Sequence, residues 1–62
     1  MSARRKLAVL LVDDDPRIRR ALRGVLEDEG HTVDEAADGA QALVTLENRA
    51  FDAVLLDVNM PV

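Results

Sequence analysis

Four aspartates hold the residues of this chain best suited to chemistry. Asp13, Asp14 and Asp15 follow directly on the apolar run Leu7-Ala8-Val9-Leu10-Leu11-Val12, and Asp57 closes a second apolar run, Ala53-Val54-Leu55-Leu56. Crowded carboxylates repel one another, so some hold protons unless a cation neutralises them. Oxygen ligands with no His or Cys among them select a hard ion, Mg²⁺ first. A carboxylate beside such an ion can act as a nucleophile toward a phosphoryl group and form an acyl phosphate. The metal offsets charge on the equatorial oxygens during in-line transfer.

Each acid also has a plain structural reading. Asp15 precedes Pro16 and reads as a helix cap rather than a ligand. Asp13 and Asp14 taken alone fit a turn, and a lone acid at Asp57 would prove nothing. The chemical reading depends on bringing Asp13, Asp14 and Asp57 together, which is a question about the elements that carry them.

The run Leu7–Val12 shows no alternation, the pattern of a strand buried on both faces of a parallel sheet. Pro16 suits the first position of a helix. Ile18, Ala21, Leu22, Val25 and Leu26 then fall on one helical stripe, with Arg17, Arg19, Arg20 and Arg23 expected on the solvent face. Gly30 is the expected stop. The acids before it, Glu27-Asp28-Glu29, oppose the helix dipole. Residues 31–36 predict a weaker strand whose only large apolar residue is Val33, and that polarity suits a sheet edge. Asp38-Gly39 predicts a turn and cap, followed by a second helix with Ala42, Leu43 and Leu46 on its stripe, ending near Asn48-Arg49. Ala53-Val54-Leu55-Leu56-Asp57 is the third strand.

The order strand, helix, strand, helix, strand, with connections long enough for crossovers, predicts a parallel sheet with right-handed connections. The fold class is therefore α/β, half of a doubly wound domain, with strand order 2-1-3. In such a sheet the carboxyl ends of adjacent strands lie together, and ligands bind at that edge. The fold thus predicts that Asp13, Asp14 and Asp57 converge.

Composition narrows the function classes. A chain of 62 residues holds at most one small domain, and such a domain buries only about 60% of its unfolded surface. No cysteine is present, which excludes disulfides, thiol catalysis and zinc–thiolate sites. Phe51 is the sole aromatic, so the core is expected to be aliphatic. The net charge of -4 argues against a nucleic-acid surface. The opening Arg4-Arg5-Lys6 reads as part of a basic tail over residues 1–6 rather than an anion contact. The longest apolar run is far below the roughly 18 residues of a membrane span, and it lacks the marks of a signal peptide. A soluble, cytoplasmic protein is the expectation.

With these features in place, the chain resembles the receiver domain of bacterial two-component response regulators. The segment Leu10-Leu11-Val12-Asp13-Asp14-Asp15-Pro16, with Arg19 three residues on, is similar to the opening of that family. Ala37-Asp38-Gly39-Ala40-Gln41-Ala42-Leu43 resembles its second-helix entry, and Asp52 to Pro61 its phosphorylation segment. The resemblance implies a flavodoxin-like fold, with Asp57 as the phosphoacceptor. It implies Mg²⁺ bound by Asp14 directly, by Asp13 through a water, by Asp57, and by the backbone carbonyl of Asn59, with Met60-Pro61 shaping the loop. It also implies a sensor histidine kinase or phosphotransfer protein as partner, and a signalling module rather than an enzyme.

Departures from the family are equally plain. Receivers run to about twice this length and carry a hydroxyl residue and a lysine on later strands, whereas the only lysine here is Lys6. Val62 stands where the family usually has a small or polar residue. The expectation is a truncated receiver over residues 1–62, poorly active as it stands. Two alternatives remain open. One is a non-catalytic assembly element that oligomerises through an exposed third-strand edge. The other is a haloacid-dehalogenase-type phosphatase, a family that wants an acid where this chain has Asn59. No phosphate-binding glycine pattern is present, and His31 reads as a loop residue.

Overall fold

The computed structural model describes residues 5–57. Its elements run β1 (Ala8–Val12), α1 (Pro16–Asp28), β2 (Thr32–Ala36), α2 (Gly39–Asn48) and β3 (Ala53–Leu56). All pairing is parallel and the sheet order is β2-β1-β3. This is the expected α/β arrangement, with the apolar β1 at the centre and the polar β2 at an edge. Asn59, Met60, Pro61 and Val62, together with residues 1–4 of the basic tail, lie outside the described residues.

The central strand is buried because helices cover it from both sides. Side chains alternate across a strand, so Leu10 and Val12 face α2 and cluster with Ala36, Ala42 and the ring of Phe51. Val9 and Leu11 face α1 and cluster with Val33, joined by Leu7, Leu26 and Ala53. Leu10, Leu11 and Val12 are fully buried. Each contributes roughly 1.5–3 kcal/mol relative to exposure.

Helix ends are set by local chemistry. Asp15 is the N-cap of α1, its side chain accepting from the Arg17 N–H at 2.9 Å. The Arg17 guanidinium beside it holds the Asp15 carboxyl below its usual value, with the backbone N–H of the same residue as the next cause. Asp38 caps α2 by accepting from the Gln41 N–H at 2.8 Å, while Gln41 Oε1 accepts from the Ala37 N–H. At the end of α1 the Gly30 N–H donates to the Glu27 carbonyl (2.9 Å) and the His31 N–H to the Leu26 carbonyl (3.1 Å). That paired pattern is the Schellman motif, and Gly30 supplies its positive φ of 96°. The acids of that last turn are partly offset, since Glu27 accepts from Arg23 one turn back. His31 is structural: its Nδ1 accepts the Leu7 N–H at 3.1 Å, joining the start of β1 to the approach to β2.

The helix α1 differs from its expected orientation in one respect. It lies over β1 and β2, and among the described elements neither helix packs on β3. The stripe therefore meets the sheet along one flank, at Leu26, while Ile18, Leu22 and Val25 remain 45%, 42% and 61% exposed. Arg19 and Arg23, expected in solvent, instead turn toward β2 and pair with Glu35. On the other side of the sheet Leu43, expected on the buried stripe of α2, is exposed and Ala42 alone is buried. The edge strand β3 also stays open, with Val54, Leu55 and Leu56 exposed.

Candidate acidic site at the carboxyl edge of the sheet

Strand register places the acids. Val12 of β1 pairs with Leu56 of β3, so the residues that follow, Asp13 and Asp57, emerge side by side. The ladder continues into them: the Asp57 N–H donates to the Val12 carbonyl (3.0 Å) and the Asp13 N–H to the Ala36 carbonyl (3.2 Å). Both are thus held by main-chain bonds on rigid strand ends rather than by a free loop.

Asp13, Asp14 and Asp57 each bring a carboxylate oxygen to within 4.8 Å of the others. Asp13 is buried, Asp57 half-buried and Asp14 exposed. The convergence expected from the sequence is therefore present, and Asp15 stands apart as a cap. Oxygen donors at this spacing fit a hard divalent cation, for which carboxylates are the natural ligands.

The loop that carries the first two acids is braced from several directions. Asp13 Oδ1 accepts the Asp15 N–H at 2.9 Å, closing a local turn. The Asp13 carbonyl accepts Arg19 Nη1 at 2.5 Å, and Arg19 Nε donates to Glu35 at 3.0 Å. Glu35 also accepts from Arg23 Nη1 at 2.8 Å. Arg23 first, then Arg19, holds the Glu35 carboxyl below its usual value. An open cavity of about 310 Å³ between α1 and β3 adjoins the acids, with Arg19, Leu22, Leu55, Asp13 and Asp57 among its lining.

Arg19 and Glu35 are the residues near the site whose roles the helical pattern concealed. The signal lay in the strand period. Glu35 is two residues from Val33, so it shares the face that α1 covers, and a carboxylate there needs a cation from that helix.

The description "Response regulator receiver domain" belongs to the family model that matches residues 9–62. A gliding motility regulatory protein of Myxococcus xanthus is 50% identical over 60 residues, covering 95% of this chain and 8% of that protein. The transcriptional regulatory protein ResD of Bacillus subtilis is 45% identical over 53 residues, 86% of this chain and 22% of that protein. Among solved structures, the chemotaxis response regulator CheY4 of Vibrio cholerae superposes with a TM-score of 0.86 at 43% identity, covering 94% of this chain and 48% of that one. The chain thus spans about half the length of that structure and a smaller share of the two curated relatives. Neither the phosphatase alternative nor the assembly alternative gains support from these relatives.

Proposed function

This chain belongs to the response regulator receiver domain family, and from that premise we propose that Asp57 is its phosphoacceptor. Receivers are phosphoacceptor modules of two-component signalling, and the observation that carries the assignment here is the Asp13–Asp14–Asp57 group at the carboxyl edge of the sheet. The donor on this reading is a phosphohistidine of a sensor kinase or phosphotransfer protein. A carboxylate oxygen of Asp57 forms the new O–P bond as the N–P bond breaks. The histidine nitrogen leaves with the bonding electrons. The product is an acyl phosphate, and the chain acts as acceptor rather than as an enzyme with turnover.

Mg²⁺ fits the site's donors and, when bound, would offset negative charge on the transferring phosphoryl oxygens. Asp13, Asp14 and Asp57 would hold it, with the backbone carbonyl of Asn59 as the further ligand. The strands meanwhile fix the position of Asp57, because its N–H is bonded to Val12 on the neighbouring strand. On this reading the module works in the cytoplasm. Among the described residues no helix is long and apolar enough to cross a membrane.

Beryllofluoride, a mimic of the acyl phosphate, tests the assignment. Added with Mg²⁺ to the ¹⁵N-labelled chain, it should shift the amides of Asp14 and Asp57, and D57N should abolish that response. A spectrum that stays unchanged at both residues under saturating Mg²⁺ and beryllofluoride would overturn the assignment.

A further inference from the structure

Arg19 touches the acid-bearing loop at both of its ends. Its guanidinium donates to the Asp13 carbonyl and its backbone N–H to the Asp15 carbonyl, the latter at 3.1 Å. The Asp13 carbonyl belongs to the planar peptide that leads into Asp14. Turning that plane would change the backbone torsions from which the Asp14 side chain departs. The side chain of Arg19 is only 16% exposed, so its charge-assisted bonds are shielded from the solvent that weakens surface pairs.

We infer that Arg19 is a positioning residue for the acidic site, its guanidinium clamped between Glu35 and the Asp13 carbonyl so that the loop carrying Asp13 and Asp14 is fixed before any ligand arrives. The inference deepens the proposed site and rests on Asp13, Asp14 and Asp57 acting together. The anchor is external to the loop. Glu35 stands on β2, in register with Leu11 of β1, and a second arginine, Arg23, holds it from the other side. The chain of bonds thus runs from the polar edge strand, through α1, to the peptide between Asp13 and Asp14. Neighbouring arginines supply the contrast. Arg17 is 89% exposed and pairs with the cap Asp15, while Arg23 grips Glu35 and Glu27. A lysine at position 19 would carry the charge but could not fork to both partners.

The test compares R19Q with R23Q, which removes a Glu35 partner but leaves the Asp13 carbonyl bonded. Amide hydrogen exchange of the metal-free chain reads the loop through Asp13 and Asp15, with the amides of Val9 to Leu11 as the fold control. R19Q should speed the two loop amides by about tenfold relative to the control, the weight of one charge-assisted hydrogen bond. It should also weaken Mg²⁺ binding, followed by NMR titration, by roughly tenfold, as loss of an outer-shell partner does. R23Q, which leaves the Asp13 carbonyl its donor, should move both readouts far less than R19Q does. R19Q loop exchange equal to wild type, or an equal loosening by R23Q, would overturn the inference. Should R19Q fail to fold, R19K carries the same comparison with the charge and stem retained. A wild-type chain indifferent to Mg²⁺ would overturn the metal reading alone, since loop exchange in the metal-free chain still decides the role of Arg19.

Discussion

If Asp13, Asp14 and Asp57 hold Mg²⁺ as proposed, the ion should stabilise the folded chain and loss of one carboxylate should divide that gain, so D57N is the perturbation to use. A ligand that binds only the folded state stabilises it by RT ln(1 + [L]/Kd), about 2.7 kcal/mol at a concentration of 100 Kd. Asp57 offers one of three carboxylates within 4.8 Å, and its loss should weaken the ion by at least about tenfold, since even outer-shell partners carry that much. At the same Mg²⁺ concentration the variant is then stabilised by about 1.4 kcal/mol. For a domain of this size each kcal/mol moves the melting temperature by about 4–8 °C. Wild type should therefore gain roughly 10–20 °C, and D57N about half of that. Thermal melts followed by circular dichroism, with and without Mg²⁺, measure both shifts, and NaCl at matched ionic strength removes general screening. An equal Mg²⁺-dependent rise in D57N, or a wild-type rise that NaCl reproduces, would refute the reasoning.

Three further outcomes follow from the fold. Leu10→Ala empties a fully buried position and should cost about 2–5 kcal/mol, enough in so small a domain to abolish a cooperative urea transition. Gly30→Ala places a side chain at a φ of 96° and should cost roughly 1–2 kcal/mol in chemical denaturation; a Cβ there meets nothing within 4 Å, so the cost is conformational. Glu35→Gln tests the pH dependence. Arg23 and Arg19 depress the folded pKa of Glu35 below its usual 4.5, so its contribution is complete above the unfolded value and is lost as pH falls through the folded one. The stability gap between wild type and E35Q should therefore be widest near neutral pH and narrow in acid; a gap independent of pH would exclude the ion pairs as its source.

Much of the architecture is legible in the amino-acid sequence alone. The unbroken apolar run of β1 demanded cover on both faces, and the polarity of residues 31–36 sent β2 to an edge. Right-handed parallel crossovers did the rest, since they leave almost one way to arrange such elements. Once β1 and β3 are neighbours, acids that follow their last residues must meet, so the convergence of Asp13, Asp14 and Asp57 was encoded by strand order. Asp15 and Asp38 as caps and Gly30 as a stop were likewise local chemistry, readable over a few residues.

Other features depended on tertiary contacts. Helical periodicity gives the stripe of α1 but not the angle at which it meets the sheet. Because α1 sits over β1 and β2 rather than β3, Leu22 and Val25 stay exposed while Arg19 and Arg23 turn inward to Glu35. Nor could spacing alone reveal that an arginine six residues beyond Asp13 would brace its carbonyl. The sequence by itself determined which acids would meet, because strand order and register are set by hydrophobic pattern over whole elements. How firmly those acids are held was decided only in three dimensions, because it rests on the docking of one helix against two strands.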